Sequence, residues 1–516
     1  MLVRLDRAAK LPLYVQIRQQ LRELILSGAL PPESRLPPTR DLAKALGVNR
    51  TTVVTAYRQL WSAGLVEGRA GGGTVVARPL DSVTERGSPR PSLFPWEKRY
   101  THRLQPFYAS RMMRQIQQAP SDVIKFCLGV PPDGRTPVHV ARDVLEEAIP
   151  RGMNVLQNAP YAGIAALRRL IAKRAELVGI RAAPSEVLVL SGRDQGMYLM
   201  AQALLDPGDT VAMEVPAHSG AIHTFNTCGA SIAPVPMDEY GLRLEILEGV
   251  LARRQPKLLY TAPTFQNPTG STMDLERRRA VLDLCQRYRT PILEEDPYHE
   301  LRYEGMQVAP IKALDRHDHV VYLSTYSETF FPGLPLAWLI APKDVIARLE
   351  SLKSCMGEFP SVLAQQVVYE FLQRRMEETE NVISHYASRR NAMCAALEKH
   401  CAGLMEWKCP EGGFFVWAKL QGGLKADIVL QEALKEKVAF ASGWSFFPDG
   451  NGGESELRLD FAGNTEDRIE RGIQRLGKAL RRSLDEKFPH YEKPIPFDEQ
   501  QSDPFILLTQ SLHANL

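Results

Sequence analysis

Residues 36–76, LPPTRDLAKALGVNRTTVVTAYRQLWSAGLVEGRAGGGTVV, decide how the N-terminal part of the chain folds. Pro37 and Pro38 turn the backbone, and Thr39 is placed to cap a short helix with Leu42, Ala43 and Leu46 inward and Gly47 at its end. Asn49 can cap a second helix from Arg50 to about Trp61, with Val53, Ala56, Tyr57 and Leu60 on its inner face and Gly64 closing it. Two helices joined through a glycine-containing turn make a helix-turn-helix, and Leu65-Val66, the glycines 71–73 and Thr74-Val75-Val76 then read as a hairpin. Upstream, Val15, Ile17, Leu21, Leu24 and Ile25 recur roughly at helical spacing until Ser27-Gly28 stops the helix. A winged helix-turn-helix is expected over residues 1–78.

In that geometry the start of the second helix faces the major groove, so Arg50, Thr51 and Thr52 are candidates for base or phosphate contact and Arg40 for phosphate. Gly71, Gly72 and Gly73 would let the wing backbone approach the minor groove or a phosphate, and Thr39 and Tyr57 complete the DNA-binding candidates. A bare helix-turn-helix would equally suit a helical adaptor whose arginines form a solvated face. The charge distribution favours nucleic acid: residues 1–78 carry twelve Lys and Arg against five acids, while the whole chain nets only +3.

At 516 residues the chain exceeds one ordinary core, and two or three domains are expected. Its seven cysteines are scattered without a CxxC pair, which suggests neither a zinc site nor a disulfide framework, and no metal is expected. No apolar stretch approaches bilayer-spanning length and residues 1–14 hold no signal-like apolar region. The expectation is a cytoplasmic protein, nucleoid-associated when bound to DNA, with no membrane partner.

Residues 79–118 are polar and dotted with proline, as a linker would be. Beyond them, helix patterns at 142–148, 163–177, 194–205 and 275–287 alternate with apolar runs rich in β-formers at 187–190, 210–213, 258–262, 291–295 and 320–323. Such alternation implies an α/β domain on a mostly parallel sheet over residues 119–483, with a smaller α+β C-terminal lobe from about 361 to 483. Residues 484–516 form a tail.

The 36–76 stretch resembles the GntR-type winged-helix domain nearly end to end, with Arg40, Arg50, Thr52, Tyr57, Leu60, Gly64, Gly71 and Gly73 on its motif. Roughly residues 120–480 resemble the fold type I aminotransferases, enzymes of pyridoxal phosphate (PLP). The landmarks fall in family order: FCLGVPPDG (126–134), LSGRDQG (190–196), PGDTVAMEVPAHSG (207–220), PTFQNPTG (263–270), LEEDPYHELRY (293–303), YLSTYSETFFPGLPLAWL (322–339), EGGFF (411–415) and LRLDFA (457–462). The combination resembles the MocR subfamily of bacterial transcription regulators.

The resemblance also implies where a cofactor would sit and what this chain has changed there. Glu328 stands at the position of the imine-forming lysine, and a carboxylate forms no imine. Pro335 stands where the phosphate-binding arginine is expected, and Asn158 replaces a tyrosine. Arg193 and Asp194 open the helix that would face the phosphate, the first able to supply positive charge and the second opposing an anion. Glu295 takes the place of the carboxylate for the pyridinium nitrogen, unless a register slip brings in Asp296, and His218 that of the ring-stacking aromatic. Asn267, Tyr298, Thr325, Ser327 and Arg458 match the family, Arg458 being its ligand for a substrate carboxylate.

No catalytic residue and no covalently bound cofactor are therefore expected, and non-covalent PLP or pyridoxamine phosphate stays open. The implied protein is a homodimeric, DNA-binding transcription regulator whose aminotransferase-like domain binds an effector bearing a carboxylate or an amine, each head reading one operator half-site. The alternative is a PLP-dependent aminotransferase-type regulator that keeps activity through another lysine, Lys312 or Lys343.

Overall fold

The computed structural model describes residues 3–7, 11–69, 73–77, 99, 101, 122–127, 142–144, 146, 159–327, 333–357, 359–374, 376–448 and 450–485. The expected linker for the most part, Gly71, Gly72, Asn158, Glu328 and all but the first two residues of the expected tail lie outside the described residues. The chain divides into two compact units, residues 1–119 with 486–516, and residues 120–485.

Three helices build the first unit: α1 (Leu13–Leu26), α2 (Thr39–Leu46) and α3 (Arg50–Ser62). Their apolar positions share one core, with Ile17, Leu21, Leu42, Leu46, Val53 and Leu60 all buried. Full burial of such a side chain contributes roughly 1.5–3 kcal/mol, and this packing holds α2, which is too short to be helical alone. Gly47 ends α2 in the left-handed conformation at φ 64°. The Asn49 side chain accepts from Thr51 N at 3.0 Å and caps α3 as expected.

Thr39 departs from its expected role as a cap. It is the first residue of α2, while Pro38, whose extended backbone already leads into the helix, precedes it without any side-chain capping bond. The wing is an antiparallel pair, β1 (Val66–Arg69) and β2 (Gly73–Val76), with Val66 opposite Val76 and Arg69 opposite Gly73. On the far side of β2, Arg35 bridges Val75.

The second unit begins with β3 (Ile124–Phe126) and then builds an eight-stranded sheet. Its strands are β4 (Val187–Leu190), β5 (Thr210–Val215), β6 (Ser231–Asp238), β7 (Gly241–Leu242), β8 (Leu258–Thr261), β9 (Ile292–Glu295), β10 (Val320–Thr325) and β11 (Ala337–Ile340), in the order β4-β11-β10-β9-β8-β5-β6-β7. The pairs from β10 across to β6 are parallel, whereas β11 runs antiparallel to both β10 and β4. Every residue of β4, β8, β9, β10 and β11 is buried, as helices on both faces of a mostly parallel sheet require. In the motif at 322–339, Ser324 and Thr325 form the C-terminal end of β10.

A second sheet contains β12 (Met405–Trp407), β13 (Phe415–Leu420), β14 (Val438–Ser442) and β15 (Glu456–Asp460), in the order β12-β13-β15-β14-β3. Here the expectation of a lobe drawn only from about residue 361 onward needs correction, because β3 pairs in parallel with β14, Ile124 opposite Val438. A strand of three residues is too short to leave a periodicity in the sequence. A second correction concerns cysteine: Cys394, in the helix Met376–Cys401, and Cys409, after β12, form a disulfide with Cα atoms 6.1 Å apart. Their sequence spacing carries no signal, since only the fold brings helix and loop together.

No helix among the described residues is long and apolar enough to cross a membrane. Among the same residues no group of three or more His, Cys, Asp or Glu could hold a metal ion.

Candidate functional site

In the first unit, Arg40 and Thr51 are exposed and Arg50 and Thr52 half-buried at the adjoining starts of α2 and α3. Arg50 Nε donates to Thr39 Oγ1 at 3.5 Å, which brings these two candidates side by side. Thr55 and Arg58 are exposed at i+4 and i+7 from Thr51, and so extend the same helix face. That spacing was readable from the sequence once α3 was placed, and it marks two further candidates. Tyr57 does not belong with them. It is only 5% exposed and its hydroxyl donates to Pro37 O at 2.8 Å, so it locks the turn before α2 from inside the core.

In the second unit, the C-terminal ends of β4, β5, β8, β9 and β10 converge on one edge of the sheet, where open α/β sheets bind ligands. The loop after β4 starts the helix Arg193–Leu204 with Gly192 before it. Arg193 turns inward, its side chain 13% exposed, and Nη1 lies 3.1 Å from Glu295 Oε1 at the end of β9. The other oxygen of Glu295 accepts from the buried Tyr260 hydroxyl. Asp194, with its side chain 72% exposed, lies 3.7 Å from Arg193 Nε.

Arg193 Nη2 lies 3.2 Å from His218 Nε2. A guanidinium only donates, so the imidazole accepts there and carries its proton on Nδ1. Burial, reinforced by the charges of Arg193 and Arg458, holds the His218 pKa well below its ordinary value and keeps the ring neutral. Asp296 faces the other way: its carboxylate accepts from Tyr322 OH at 3.0 Å, and alternation along the strand leaves no register slip that would present it beside Glu295.

The loop after β8 carries Asn267. Asn267 Oδ1 accepts from Arg458 Nη1 at 2.7 Å, and Arg458 Nη2 donates to Cys127 O at 3.1 Å. Arg458 is 7% exposed and its guanidinium lies over two rings, 4.2 Å from the centroid of Phe415 and 4.9 Å from that of Phe446. Tyr298, 2% exposed, meets Phe414 and Phe415 edge-on at 5.1 and 5.9 Å and so backs the same wall.

Thr325 and Ser327 form a third group. Thr325 Oγ1 donates to Leu336 O at 2.7 Å, and Ser327 Oγ donates to Leu336 O at 3.0 Å while accepting from Leu336 N at 2.6 Å. Their hydroxyls tie down the start of β11. Pro335, in that same return, is exposed.

Two residues that the sequence did not single out shape the Asn267 loop. Arg278, fully buried, donates to Met273 O, Ala309 O, Pro263 O and Thr264 Oγ1 at 2.8–3.2 Å. Glu214, at the end of β5, accepts from Ala262 N and Gln266 Nε2, each at 3.0 Å, and from the Thr261 hydroxyl. Gly270 closes the loop at φ 69°, where a Cβ would lie 2.7 Å from Phe415 O. An arginine inside an amphipathic helix reads as solvated in sequence, which is why Arg278 gave no signal.

Burial raises the Glu214 pKa from 4.5 to about 7, against the hydrogen bonds that favour its charged form, and Glu294 is raised to about 7 for the same reason. A carboxyl with a raised folded-state pKa adds stability that is fully present below the unfolded value and lost as pH rises through the folded value. The second unit is therefore expected to lose stability between about pH 5 and 8, Glu214 accounting for at most about 3 kcal/mol. Glu214→Gln should flatten roughly half of that slope in thermal-midpoint measurements, with Glu294 supplying the rest.

The description "Aminotransferase class I and II" matches residues 121–476, and "Bacterial regulatory proteins, gntR family" matches residues 13–76. The protein is thus a DNA-binding regulator of the GntR class with an aminotransferase-like effector domain. More narrowly, it belongs to the MocR-type regulators.

It is 31% identical to the HTH-type transcriptional regulator YdfD of Bacillus subtilis over 92% of this chain and 97% of that protein. It is 30% identical to the probable rhizopine catabolism regulatory protein MocR of Rhizobium meliloti, over 85% and 87% of the two chains. Among solved structures, the α-aminoadipate aminotransferase LysN of Thermus thermophilus, complexed with N-(5'-phosphopyridoxyl)-L-leucine, matches with a TM-score of 0.70 at 32% identity. That match covers 76% of this chain and all of LysN. The fold is thus one in which PLP binding is possible.

Proposed function

We propose that the protein is a homodimeric regulator whose pocket senses a small carboxylate or amine and holds no imine-linked cofactor. The observation that carries this reading is the pairing of Arg458 with Asn267 Oδ1 at the mouth of a sheet edge where Glu295 is already engaged by Arg193 and Tyr260. Arg458 offers a desolvated guanidinium to a carboxylate, and a charge-assisted bond of that kind is among the stronger polar contacts. Glu328, at the lysine position by resemblance, suits an amine and forms no imine. Thr325 and Ser327 serve the β10–β11 return, and Pro335 has no donor for a phosphate. On this reading the residues present do not fit PLP as an attached cofactor. Each winged helix would read one half-site, and the effector would bias the placement of the two heads. DNA binding would place the working protein in the cytoplasm, on the nucleoid.

The test couples the two ends. Operator fragments are selected from genomic DNA, and their binding is titrated with amino acids, dicarboxylates and amines. At least one compound class should shift operator affinity and raise the thermal midpoint, and Arg458→Lys should bind DNA but lose the response. No shift with any compound would reject the sensing role. A band at roughly 410–430 nm in PLP-treated protein, reducible by borohydride, would instead favour the aminotransferase-type alternative through another lysine. Of the two lysines near the segment, Lys312 is held 3.3 Å from Asp315 Oδ2.

A further inference from the structure

A phosphopyridine brings two charges to this kind of site, an anion for a helix N-terminus and a cation for a strand-end carboxylate. Both are already supplied by adjacent residues of the chain. Asp194 provides the acid in the first turn of the helix Arg193–Leu204, where the helix dipole favours negative charge. Arg193 is the first residue of that helix, the end where a cation is disfavoured, yet its guanidinium is drawn inward to 3.1 Å from Glu295, itself 2% exposed. The long side chain thereby runs from the helix start to the strand end, the two places a phosphate and a pyridinium would occupy.

Resting on the reading of this pocket as a former cofactor site, we infer that Arg193 is its specificity-determining residue: its guanidinium replaces the pyridinium against Glu295 and closes the pocket to vitamin B6 phosphates. Contacts with described residues hold it there. Glu295 supplies charge, His218 Nε2 accepts a second N–H at 3.2 Å, and Asp194 lies 3.7 Å from Nε. The Tyr260 hydroxyl occupies the second Glu295 oxygen, so the carboxylate has a cation on one side and a donor on the other. A B6 phosphate entering the intact protein would have to displace Arg193 and leave that guanidinium without Glu295, a costly exchange in a buried site. A small carboxylate at Arg458 requires no such displacement. The effector that this pocket admits accordingly carries neither a phosphate nor a pyridine ring.

The experiment uses the full-length protein and pyridoxamine phosphate, which needs no lysine. Binding is followed by calorimetry and by the thermal midpoint for the wild type, Arg193→Ala, Arg193→Gln and Arg193→Ala/Glu295→Gln. The Arg193 single variants should bind pyridoxamine phosphate at least about tenfold more tightly than the wild type, a change equivalent to about 1.4 kcal/mol. The ligand should also restore part of the midpoint lost with Arg193, because its pyridinium re-pairs Glu295, and the double variant should lose both effects. Equal binding by the wild type and by either folded single variant would overturn the inference, as would a folded Arg193→Gln protein that gains nothing. Loss of the response to carboxylates at the operator, measured separately, would strike the sensing role and leave the Arg193 result standing.

Discussion

Arg278→Met is expected to lower the unfolding midpoint of the effector domain by about 5–10 °C, a large shift for one substitution in a unit of this size. The side chain is fully buried and its guanidinium joins Pro263 O, Thr264 Oγ1, Met273 O and Ala309 O. Removing it takes the side-chain donor from Thr264 Oγ1, Met273 O and Ala309 O, while Pro263 O keeps Met273 N at 2.8 Å, and each buried group left unsatisfied costs roughly 1–3 kcal/mol when it cannot relax. It also strips a cation from Glu294 and Asp296, whose charges favour the charged guanidinium against the burial that lowers its pKa. Methionine fills the volume but donates nothing. Lysine can reach some of the acceptors but lacks the planar fork, so Arg278→Lys should recover only part of the loss. Hydrogen exchange would show the damage concentrated in residues 263–273, the loop bearing Asn267. An unchanged midpoint for Arg278→Met would remove this arginine from the account of how the loop is held.

Arg50→Ala is expected to weaken binding to a selected operator by about tenfold or more at fixed salt, the size of a lost base or phosphate contact of about 1–3 kcal/mol. Arg50 begins α3 directly after the Asn49 cap, beside Thr39, so its removal alters the start of the helix without touching the buried face. Measuring the salt dependence separates the roles. A phosphate contact reduces the slope by about one and weakens all sequences alike, while a base contact relaxes preference at one position. Arg58→Ala, on the same exposed face, gives an internal comparison. Unchanged operator affinity in Arg50→Ala, with the first unit still folded, would refute the assignment of this face to DNA.

The N-terminal fold was legible almost residue by residue because it rests on local signals. Gly47, Asn49 and the inward set Val53, Ala56, Tyr57 and Leu60 act within one helix or turn, and all four of those inward positions are buried. Tyr57 shows the limit of reading by motif, since a residue on the DNA-binding pattern can be there to hold Pro37. In the larger unit the alternating runs located the parallel sheet, and the strand end at Glu295 was placed correctly. What the sequence could not convey was the partner of each polar side chain. Whether Arg193 meets an anion from outside or Glu295 from within depends on residues about a hundred positions apart. The Cys394–Cys409 bond, the Arg278 clamp and the membership of β3 in the second sheet are likewise set by tertiary approach, and none leaves a periodic trace.

The entry of β3 into the smaller sheet fastens the start of the effector domain to a strand more than three hundred residues further along the chain. Ile124–Phe126 pair with Val438–Phe440, and the next residue, Cys127, gives its carbonyl to Arg458. The guanidinium proposed to hold an effector is therefore bonded to the residue directly after β3. On the proposed reading, a carboxylate at Arg458 would compete with the Cys127 carbonyl for one guanidinium, so an effector and the first strand of this domain would share a single side chain.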